Sequence, residues 1–238
     1  MPSDIPEKIR ELYSLELGNQ NLSFIFFGYS GIICRSKYGA VAIDLGHKYE
    51  ENRINAIENL DLLLITHSHW DHFNKKNAIK IAEKTGATIV AEPNVADELD
   101  GRIPPNKLIV GEPGKKRQTT FKINDTEVTA IMGVHPRPIT VYKIVWDGPS
   151  IFHGGDSGYM QVGSQKVDVA FLPVGLPSPT CTPEVALAMT KWLKPKIVVP
   201  MHGKAKQMTE FVKLVGEARP KTKVVIPELF EPILLSLK

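Results

Sequence analysis

Apolar and polar positions along the chain follow two periods, one typical of strands and one typical of helices. Short apolar runs between glycine and polar turn residues predict strands. These strands are predicted at residues 22–27, 31–36, 40–43, 62–65, 87–91, 107–110, 119–123, 127–132, 141–146, 150–152, 167–173, 196–199, 223–226 and 233–237. Apolar residues spaced three or four apart predict helices. The helices are predicted at residues 6–17, 49–60, 74–84, 93–99, 183–193 and 206–218.

The order of these elements predicts the fold class. Strands occur in consecutive groups that are interrupted by helices, which indicates an α/β (α+β) fold with two mixed sheets face to face and helices outside. The 238 residues contain no linker, low-complexity segment or visible internal repeat. A chain of this length fits one large domain. We therefore predict a single domain over residues 1–238, in which residues 1–18 form an N-terminal helical extension.

Composition and charge indicate which partners the protein is expected to lack and in which cellular compartment it is expected. The net charge is +3, from 29 basic and 26 acidic residues, which is too balanced to predict a nucleic-acid or acidic-membrane partner. Cys34 and Cys181 form no disulfide framework, so free thiols in a reducing compartment are expected. Residues 1–18 lack a continuous apolar segment, and no apolar run approaches the length of a membrane span. These observations predict a cytoplasmic protein.

The strongest chemical pattern is the polar stretch that follows the apolar run at residues 62–65. Four metal-competent side chains lie within it: His67, His69, Asp71 and His72. An extended strand end puts alternate residues on one side, so the first three share a direction, and a turn into the next helix can bring the fourth round. Imidazole nitrogens and carboxylate oxygens suit zinc, manganese or iron. The absence of cysteine from the stretch favours an open catalytic site over a closed structural one.

The stretch resembles the His-x-His-x-Asp-His motif of the metallo-β-lactamase superfamily. The pattern of that superfamily requires a later single histidine, then an aspartate after a strand, and a last histidine after another strand. This chain has His135, Asp156 and His202 in that order, with the predicted strands beside them. Five of its seven histidines match the pattern. The resemblance extends from about residue 22 to residue 202 and implies a four-layer αββα sandwich.

The resemblance also implies seven ligands for two divalent metal ions. The implied ligands of the first ion are His67, His69 and His135. Those of the second ion are Asp71, His72 and His202, and Asp156 bridges both ions. Two such ions bind a shared hydroxide that is nucleophilic at neutral pH, so Asp71 and Asp156 are the implied catalytic carboxylates. Zinc is the first choice of metal, with manganese and iron as alternatives.

Three further residues lie close to these motifs. Asp44 ends the strand at residues 40–43, where an aspartate of the superfamily braces the metal-binding loop by hydrogen bonding. The alternative for Asp44 is an ordinary turn residue. His47 is interpreted as a surface loop histidine. His153 lies just upstream of Asp156, and we interpret it as a packed or hydrogen-bonded histidine that binds no metal.

Comparison with the branches of the superfamily narrows the expected activity. Asp156 argues against a true β-lactamase, because those enzymes lack this bridging carboxylate. The second motif lacks the glutamate of the flavodiiron branch, and the chain has no room for the large inserted domain of the nucleic-acid-processing branch. Several segments resemble small metal-dependent hydrolases similar to ascorbate-phosphate lactonase and to N-acylphosphatidylethanolamine phospholipase D. These segments are residues 172–175, 179–186, 193–196 and 200–202.

One departure from that narrower group concerns the substrate pocket. Thr180 and Cys181 stand where the loop of the group often ends in Thr-Met. The prediction is a dinuclear metal-dependent hydrolase that acts on an ester, lactone or phosphodiester of a small molecule, phosphorylated molecules included. Two alternatives stay open: a nuclease of the same fold that processes RNA or DNA, and a non-catalytic scaffold that metal stabilises. A salt-dependent affinity for nucleic acid would support the nuclease.

Overall fold

The computed structural model describes residues 4–46, 51–161, 163–176 and 181–238. The chain divides into two compact units. Unit 1 comprises Met1–Gly111, Glu228–Ser236 and Lys238, and unit 2 comprises Glu112–Pro227 and Leu237. The prediction that residues 1–238 form a single domain stays a prediction.

Unit 1 contains a seven-stranded mixed sheet with the order β14-β1-β2-β3-β4-β5-β6. Its strands are β1 (Asn21–Phe26), β2 (Ile32–Ser36), β3 (Gly39–Ile43), β4 (Leu62–Ile65), β5 (Thr88–Ala91), β6 (Leu108–Val110) and β14 (Ile233–Ser236). The pairs β14–β1, β1–β2 and β2–β3 are antiparallel, whereas β3 through β6 pair in parallel. Strands β1, β3 and β4 therefore point the same way, and the segments that follow them leave from one edge of the sheet.

The described residues of unit 1 also form four α-helices and a 3₁₀ turn at Pro105–Lys107. The helices are α1 (Ile5–Ser14), α2 (Glu51–Ala56), α3 (Lys75–Thr85) and α4 (Pro93–Leu99). Helix α1 buries Ile5, Ile9 and Leu12 in the apolar core of unit 1, in agreement with their helical spacing. Helix α3 begins at Asn74, whose side chain accepts the Asn77 N–H, and ends at Gly86 in the left-handed conformation. This start turns the chain out of the polar stretch and into the helix.

Unit 2 contains a second seven-stranded mixed sheet, with the order β13-β12-β11-β10-β9-β8-β7. Its strands are β7 (Gln118–Ile123), β8 (Thr126–Met132), β9 (Thr140–Val145), β10 (Ser150–His153), β11 (Val169–Pro173), β12 (Ile197–Met201) and β13 (Lys223–Val224). Strands β7 through β10 pair antiparallel, and β10 through β13 pair in parallel. Strands β8, β10 and β12 therefore all point in one direction.

Two helices pack on this second sheet, namely α5 (Pro183–Leu193) and α6 (Ala205–Ala218). Thr182 caps α5 by accepting the Val185 N–H, and Lys194 ends it in the left-handed conformation. Apolar residues of both helices join the core of unit 2, including Met189 and Phe211. No helix in the described parts of the chain combines the length and apolarity that a bilayer crossing needs.

The predicted fold class, α/β with two mixed sheets flanked by helices, is confirmed. Most predicted elements occur within two residues of their expected bounds. Two helices differ by more than that. The helix predicted at 49–60 is helical at Glu51–Ala56, and its residues 49 and 50 lie outside the described residues. Helix α1 ends at Ser14 and not at residue 17. The strand predicted at 223–226 pairs only at Lys223–Val224. Ile57 and Leu60 are nevertheless buried, because apolar spacing marks burial without fixing the backbone conformation.

Candidate metal centre

The polar stretch of unit 1 forms a compact loop directly after β4. The N–H groups of His72 and Phe73 both donate to the carbonyl of His69, at 2.9 and 2.8 Å, so the loop closes into a tight turn. The ring centroids of His67 and His69 lie 4.5 Å apart, and those of His67 and His72 lie 4.1 Å apart. His72 Nε2 lies 3.6 Å from Asp71 Oδ2. The loop therefore brings all four predicted ligands of this motif together.

Asp44 holds this loop through three buried hydrogen bonds. Its Oδ1 accepts the Thr66 N–H at 2.8 Å, and its Oδ2 accepts the Thr66 hydroxyl at 2.8 Å and His72 Nδ1 at 2.7 Å. Strand β3, which ends before Asp44, runs parallel to β4, so Asp44 and Thr66 leave the sheet side by side. The predicted bracing position of Asp44 is therefore present in the structure.

The same network assigns the ring tautomers of two histidines. Because Asp44 accepts from His72 Nδ1–H, the ring proton is assigned to Nδ1 and the lone pair to Nε2. The Thr66 hydroxyl donates to Asp44, so it accepts from His67 Nδ1, which lies 3.0 Å away. Nε2 is therefore the ligating nitrogen in both rings. A metal-binding histidine whose other nitrogen donates to a carboxylate or hydroxyl is the usual arrangement in metalloproteins.

Gly46 also constrains the loop, by close backbone contact. A Cβ at this position would lie 2.3 Å from Phe73 N and 2.4 Å from the carbonyl carbon of His72. Only glycine allows the segment after β3 to pack this closely against the ligand loop. The backbone that carries His72 is consequently held both by the Asp44 hydrogen bonds and by this contact.

In unit 2, three predicted ligands follow strands that point the same way. His135 comes shortly after β8, Asp156 after β10 and His202 directly after β12. His202 Nε2 lies 3.4 Å from Asp156 Oδ1, and His135 and Asp156 offer ligand atoms within 4.8 Å of each other. The shared edge of the second sheet therefore brings these three side chains together.

Two close contacts orient the ligands of unit 2. Gly155 turns the chain in the left-handed conformation just before Asp156, with a φ of 50°. His202 also has a positive φ, of 52°, and a Cβ on the following Gly203 would lie 2.5 Å from Val174 Cγ2. A side chain at residue 203 would therefore displace the segment that carries His202.

Ser157 joins the loops that carry His135 and Asp156. Its Oγ accepts the Val134 N–H at 2.8 Å and donates to the Gly158 carbonyl at 2.9 Å, while the Gly158 N–H donates to the Val134 carbonyl at 2.7 Å. The backbone N–H of Arg137 donates to His135 Nδ1 at 3.3 Å. Ser157 thus fixes the spacing of two candidate ligands.

The two remaining histidines differ in what the structure shows of them. His153 is fully buried at the end of β10, where its ring lies 6.2 Å from that of Phe171 and its Nδ1 accepts the Gly155 N–H at 3.3 Å. It is not among the potential metal ligands that the described residues contain. His47 lies outside the described residues, and so do residues 177–180, which include Thr180 of the narrower resemblance.

The two cysteines are poorly suited to act as nucleophiles. Both are free thiols in the interior of the protein. Burial raises the pKa of the Cys34 thiol to about 12, and burial with the nearby Asp156 charge raises that of Cys181 to about 12. Because the thiolate is the reactive form, neither side chain is activated at neutral pH.

Sequence reasoning did not assign roles to Thr66, Gly46 or Ser157, although each one supports a ligand. Thr66 and Ser157 are neighbours of the motifs, and an aspartate followed two residues later by glycine marks Gly46. Thr66 pairs with Asp44, 22 residues away, and Ser157 pairs with Val134, 23 residues away, so these pairs emerge only from strand order. The donor set that these residues support consists of imidazole nitrogens and carboxylate oxygens, which fits a divalent transition metal.

Known proteins are similar to this chain in sequence and in fold. The family described as β-lactamase superfamily domain matches residues 24–202. A UPF0173 metal-dependent hydrolase of Thermococcus onnurineus is 34% identical over 182 residues, which cover 70% of this chain and 78% of the relative. A UPF0173 metal-dependent hydrolase of Myxococcus xanthus is 29% identical over 231 residues, which cover 85% of this chain and 80% of the relative.

A solved structure extends the comparison to three dimensions. Igni18, described as a novel metallo hydrolase from the hyperthermophilic archaeon Ignicoccus hospitalis, has a TM-score of 0.73 and 25% sequence identity. The match covers 92% of this chain and all of Igni18. The fold and the motif pattern define a metal-dependent hydrolase of the metallo-β-lactamase fold. The chain belongs to the β-lactamase superfamily, whose match covers most of its length. The predicted superfamily and the predicted hydrolase class are confirmed.

Proposed function

We propose that the protein is a dinuclear hydrolase that cleaves an ester, lactone or phosphodiester of a small molecule. Seven side chains would hold the two metal ions, with zinc as the first choice and manganese or iron as alternatives. The ligands proposed for the first ion are His67, His69 and His135. Those proposed for the second ion are Asp71, His72 and His202, and Asp156 would contact both ions.

The observation that carries this proposal is the grouping of the potential ligands. In unit 1, His67, His69, Asp71 and His72 lie together in one compact loop. In unit 2, His135, Asp156 and His202 lie together after strands that point the same way. Seven such side chains exceed the four ligands of a single tetrahedral zinc site, which supports two ions over one. The bridging role of Asp156 is proposed from the resemblance of the sequence.

The bound ions would supply a water nucleophile that is deprotonated near neutral pH, and would polarise the bond to be cleaved. The remaining contributions come from the chain. Asp44 and Thr66 hold the rings of His67 and His72 with Nε2 as the ligating atom. Neither buried thiol is asked to attack, because burial keeps Cys34 and Cys181 protonated. The absence of an activated thiol supports direct attack by water, without a covalent bond between the enzyme and the substrate.

The substrate class is proposed from the narrower resemblance of the sequence. The segments around residues 172–175 and 193–196 are similar to small hydrolases that act on a phosphorylated lactone or on a phosphodiester. A small substrate is also consistent with the balanced net charge of +3, which offers little attraction to a polyanion. Both cysteines are free thiols, which supports a reducing, cytoplasmic compartment.

Metal analysis combined with a substrate panel tests the proposal. We expect about two equivalents of transition metal per chain, and hydrolysis of at least one ester, lactone or phosphodiester. Asp156→Ala is expected to lower the rate at least about 100-fold, because it removes the carboxylate shared by both ions. His153→Asn is the matched control, since the Asn oxygen can accept the Gly155 N–H in place of Nδ1.

Three outcomes would contradict the proposal. Metal binding that saturates at one equivalent would remove the dinuclear site. Full activity of the Asp156→Ala variant would remove the bridging carboxylate from the mechanism. Equal loss of metal in the His153→Asn and His135→Ala variants would show that the ligands of unit 2 are wrongly assigned.

A further inference from the structure

The side chain of Trp70 is the most exposed large apolar side chain among the described residues, with 61% of its surface accessible. A single exposed apolar side chain is common on protein surfaces and carries no functional meaning by itself. The position of Trp70 is what distinguishes it, because it stands between His69 and Asp71 in the ligand loop. It is also the one apolar residue of this loop before Phe73, which is buried in the core.

The indole of Trp70 is held in place by a second aromatic ring of the same unit. Its ring centroid lies 5.6 Å from that of Tyr29, with an angle of 76° between the two planes. An edge-to-face pair at this distance is favourable and restricts both rings. The two ring surfaces meet nearly at a right angle, so a third planar ring can stack on one of them and direct its edge toward the other.

The turn that carries Tyr29 is anchored to the metal-bracing part of the fold. Strand β1 points the same way as β3 and β4, so the turn after it leaves from the edge that bears Asp44 and the ligand loop. Tyr29 has a φ of 51°, and hydrogen bonds from Gly31 N–H to Gly28 and from Phe27 N–H to Gly31 close the turn. A Cβ on Gly31 would lie 3.0 Å from the Asp44 carbonyl oxygen.

The backbone of Trp70 is equally constrained. It lies within the turn that the two hydrogen bonds to the His69 carbonyl close. Two rigid turns therefore present Trp70 and Tyr29 beside the ligand loop, and little conformational entropy is lost when a ligand binds to them.

We infer that Trp70 and Tyr29 form the binding surface for a planar aromatic ring of the substrate, next to the bond that is cleaved. The inference rests on the proposed function, because His69 and Asp71, the neighbours of Trp70 in the sequence, are proposed metal ligands. It specifies the substrate class further: a small ester, lactone or phosphodiester that carries an aromatic or heteroaromatic ring close to the scissile bond.

Two hydroxamates with the same metal-binding group test this inference on the metal-loaded protein. Benzohydroxamate carries an aromatic ring and acetohydroxamate carries a methyl group. Calorimetry is expected to show about tenfold tighter binding of benzohydroxamate to the wild type, since stacking on an aromatic residue adds affinity to apolar burial. Benzohydroxamate is also expected to quench the fluorescence of Trp70.

The variants separate a binding role from a structural one. Trp70→Ala is expected to reduce the preference for benzohydroxamate to about twofold or less, while its metal content and its affinity for acetohydroxamate stay near those of the wild type. Trp70→Phe is expected to retain most of the preference, because phenylalanine also offers a ring. Tyr29→Ala is expected to show a smaller loss. The matched control is Tyr38→Ala, at the opposite end of the β2–β3 hairpin.

The outcomes distinguish this inference from the proposed function. A tenfold preference that persists in Trp70→Ala, or the absence of any preference in the wild type, overturns the inference even if hydrolysis is intact. A preference that depends on Trp70 supports the inference even if no substrate of the panel is hydrolysed, and that result would count against the proposed activity alone.

Discussion

Replacing Asp44 with asparagine removes a negative charge from the network that orients the ligand loop and leaves the side-chain shape almost unchanged. The wild-type carboxylate accepts three hydrogen bonds, two of them at Oδ2. An asparagine has one oxygen, so its NH₂ group must face at least one buried donor. If the amide oxygen stays with the Thr66 N–H, the NH₂ group faces His72 Nδ1 and forces the ring proton onto Nε2. A protonated Nε2 cannot bind a metal ion.

Two magnitudes follow from these contacts. The loss of two charge-assisted bonds, or one buried unpaired donor, is expected to lower the free energy of unfolding of the metal-free protein by about 2–4 kcal/mol. Loss of the carboxylate behind His72 is expected to weaken binding of the metal ion proposed at His72 about 10- to 100-fold. Urea denaturation measures the first quantity, and competition with a chromophoric chelator measures the second.

Asp168→Asn provides the matched control for this prediction. The Asp168 carboxylate accepts the N–H and hydroxyl of Ser150 at 3.0 and 2.8 Å and pairs with Lys196 at 3.0 Å. It lies beside the start of β10, at the opposite end from Asp156. This variant should lose stability while keeping its metal affinity. Wild-type affinity for both ions in Asp44→Asn would refute the assigned bracing role.

Three further predictions concern the glycines, the cysteines and nucleic-acid binding. Gly46→Ala should lower the free energy of unfolding by at least about 2 kcal/mol and weaken metal binding, because the added Cβ would overlap the Phe73 backbone. Its control is Gly216→Ala in helix α6, where an added Cβ would have no neighbour within 4 Å. This control should raise the free energy of unfolding by about 0.5–1 kcal/mol in the same urea denaturation assay. The Cys34→Ser and Cys181→Ser variants should keep most of the hydrolytic rate. Both native thiols should resist a thiol reagent at pH 8, where a pKa of about 12 leaves roughly one thiolate in ten thousand. Fast labelling of the folded protein would contradict the buried positions of these thiols. Fluorescence anisotropy at physiological salt should show no submicromolar binding of RNA or DNA, and such binding would move the nuclease alternative ahead of the small-molecule hydrolase.

The amino-acid sequence by itself determined the class of elements and the candidate ligands. Apolar runs of three to seven residues identified the strands, and the ligands follow closely after them, so errors of one or two residues in the predicted bounds left the candidate ligands unchanged. The imidazole and carboxylate groups of residues 67–72 also limit the site to nitrogen and oxygen ligands, in any conformation of the backbone. The sequence could not decide where the helix predicted at 49–60 ends, because buried residues such as Ile57 have the same spacing in a helix and in a packed turn.

Only the tertiary structure decided which residues support the ligands. The contacts from Asp44 to Thr66 and His72 depend on β3 and β4 being parallel neighbours, and the pair of Tyr29 and Trp70 depends on β1 sharing their direction. Strand order results from many small packing energies summed over each core, whereas ligand chemistry is a property of single side chains. Local patterns therefore identify the candidate ligands, and the contacts that hold them in place emerge only when the sheets form.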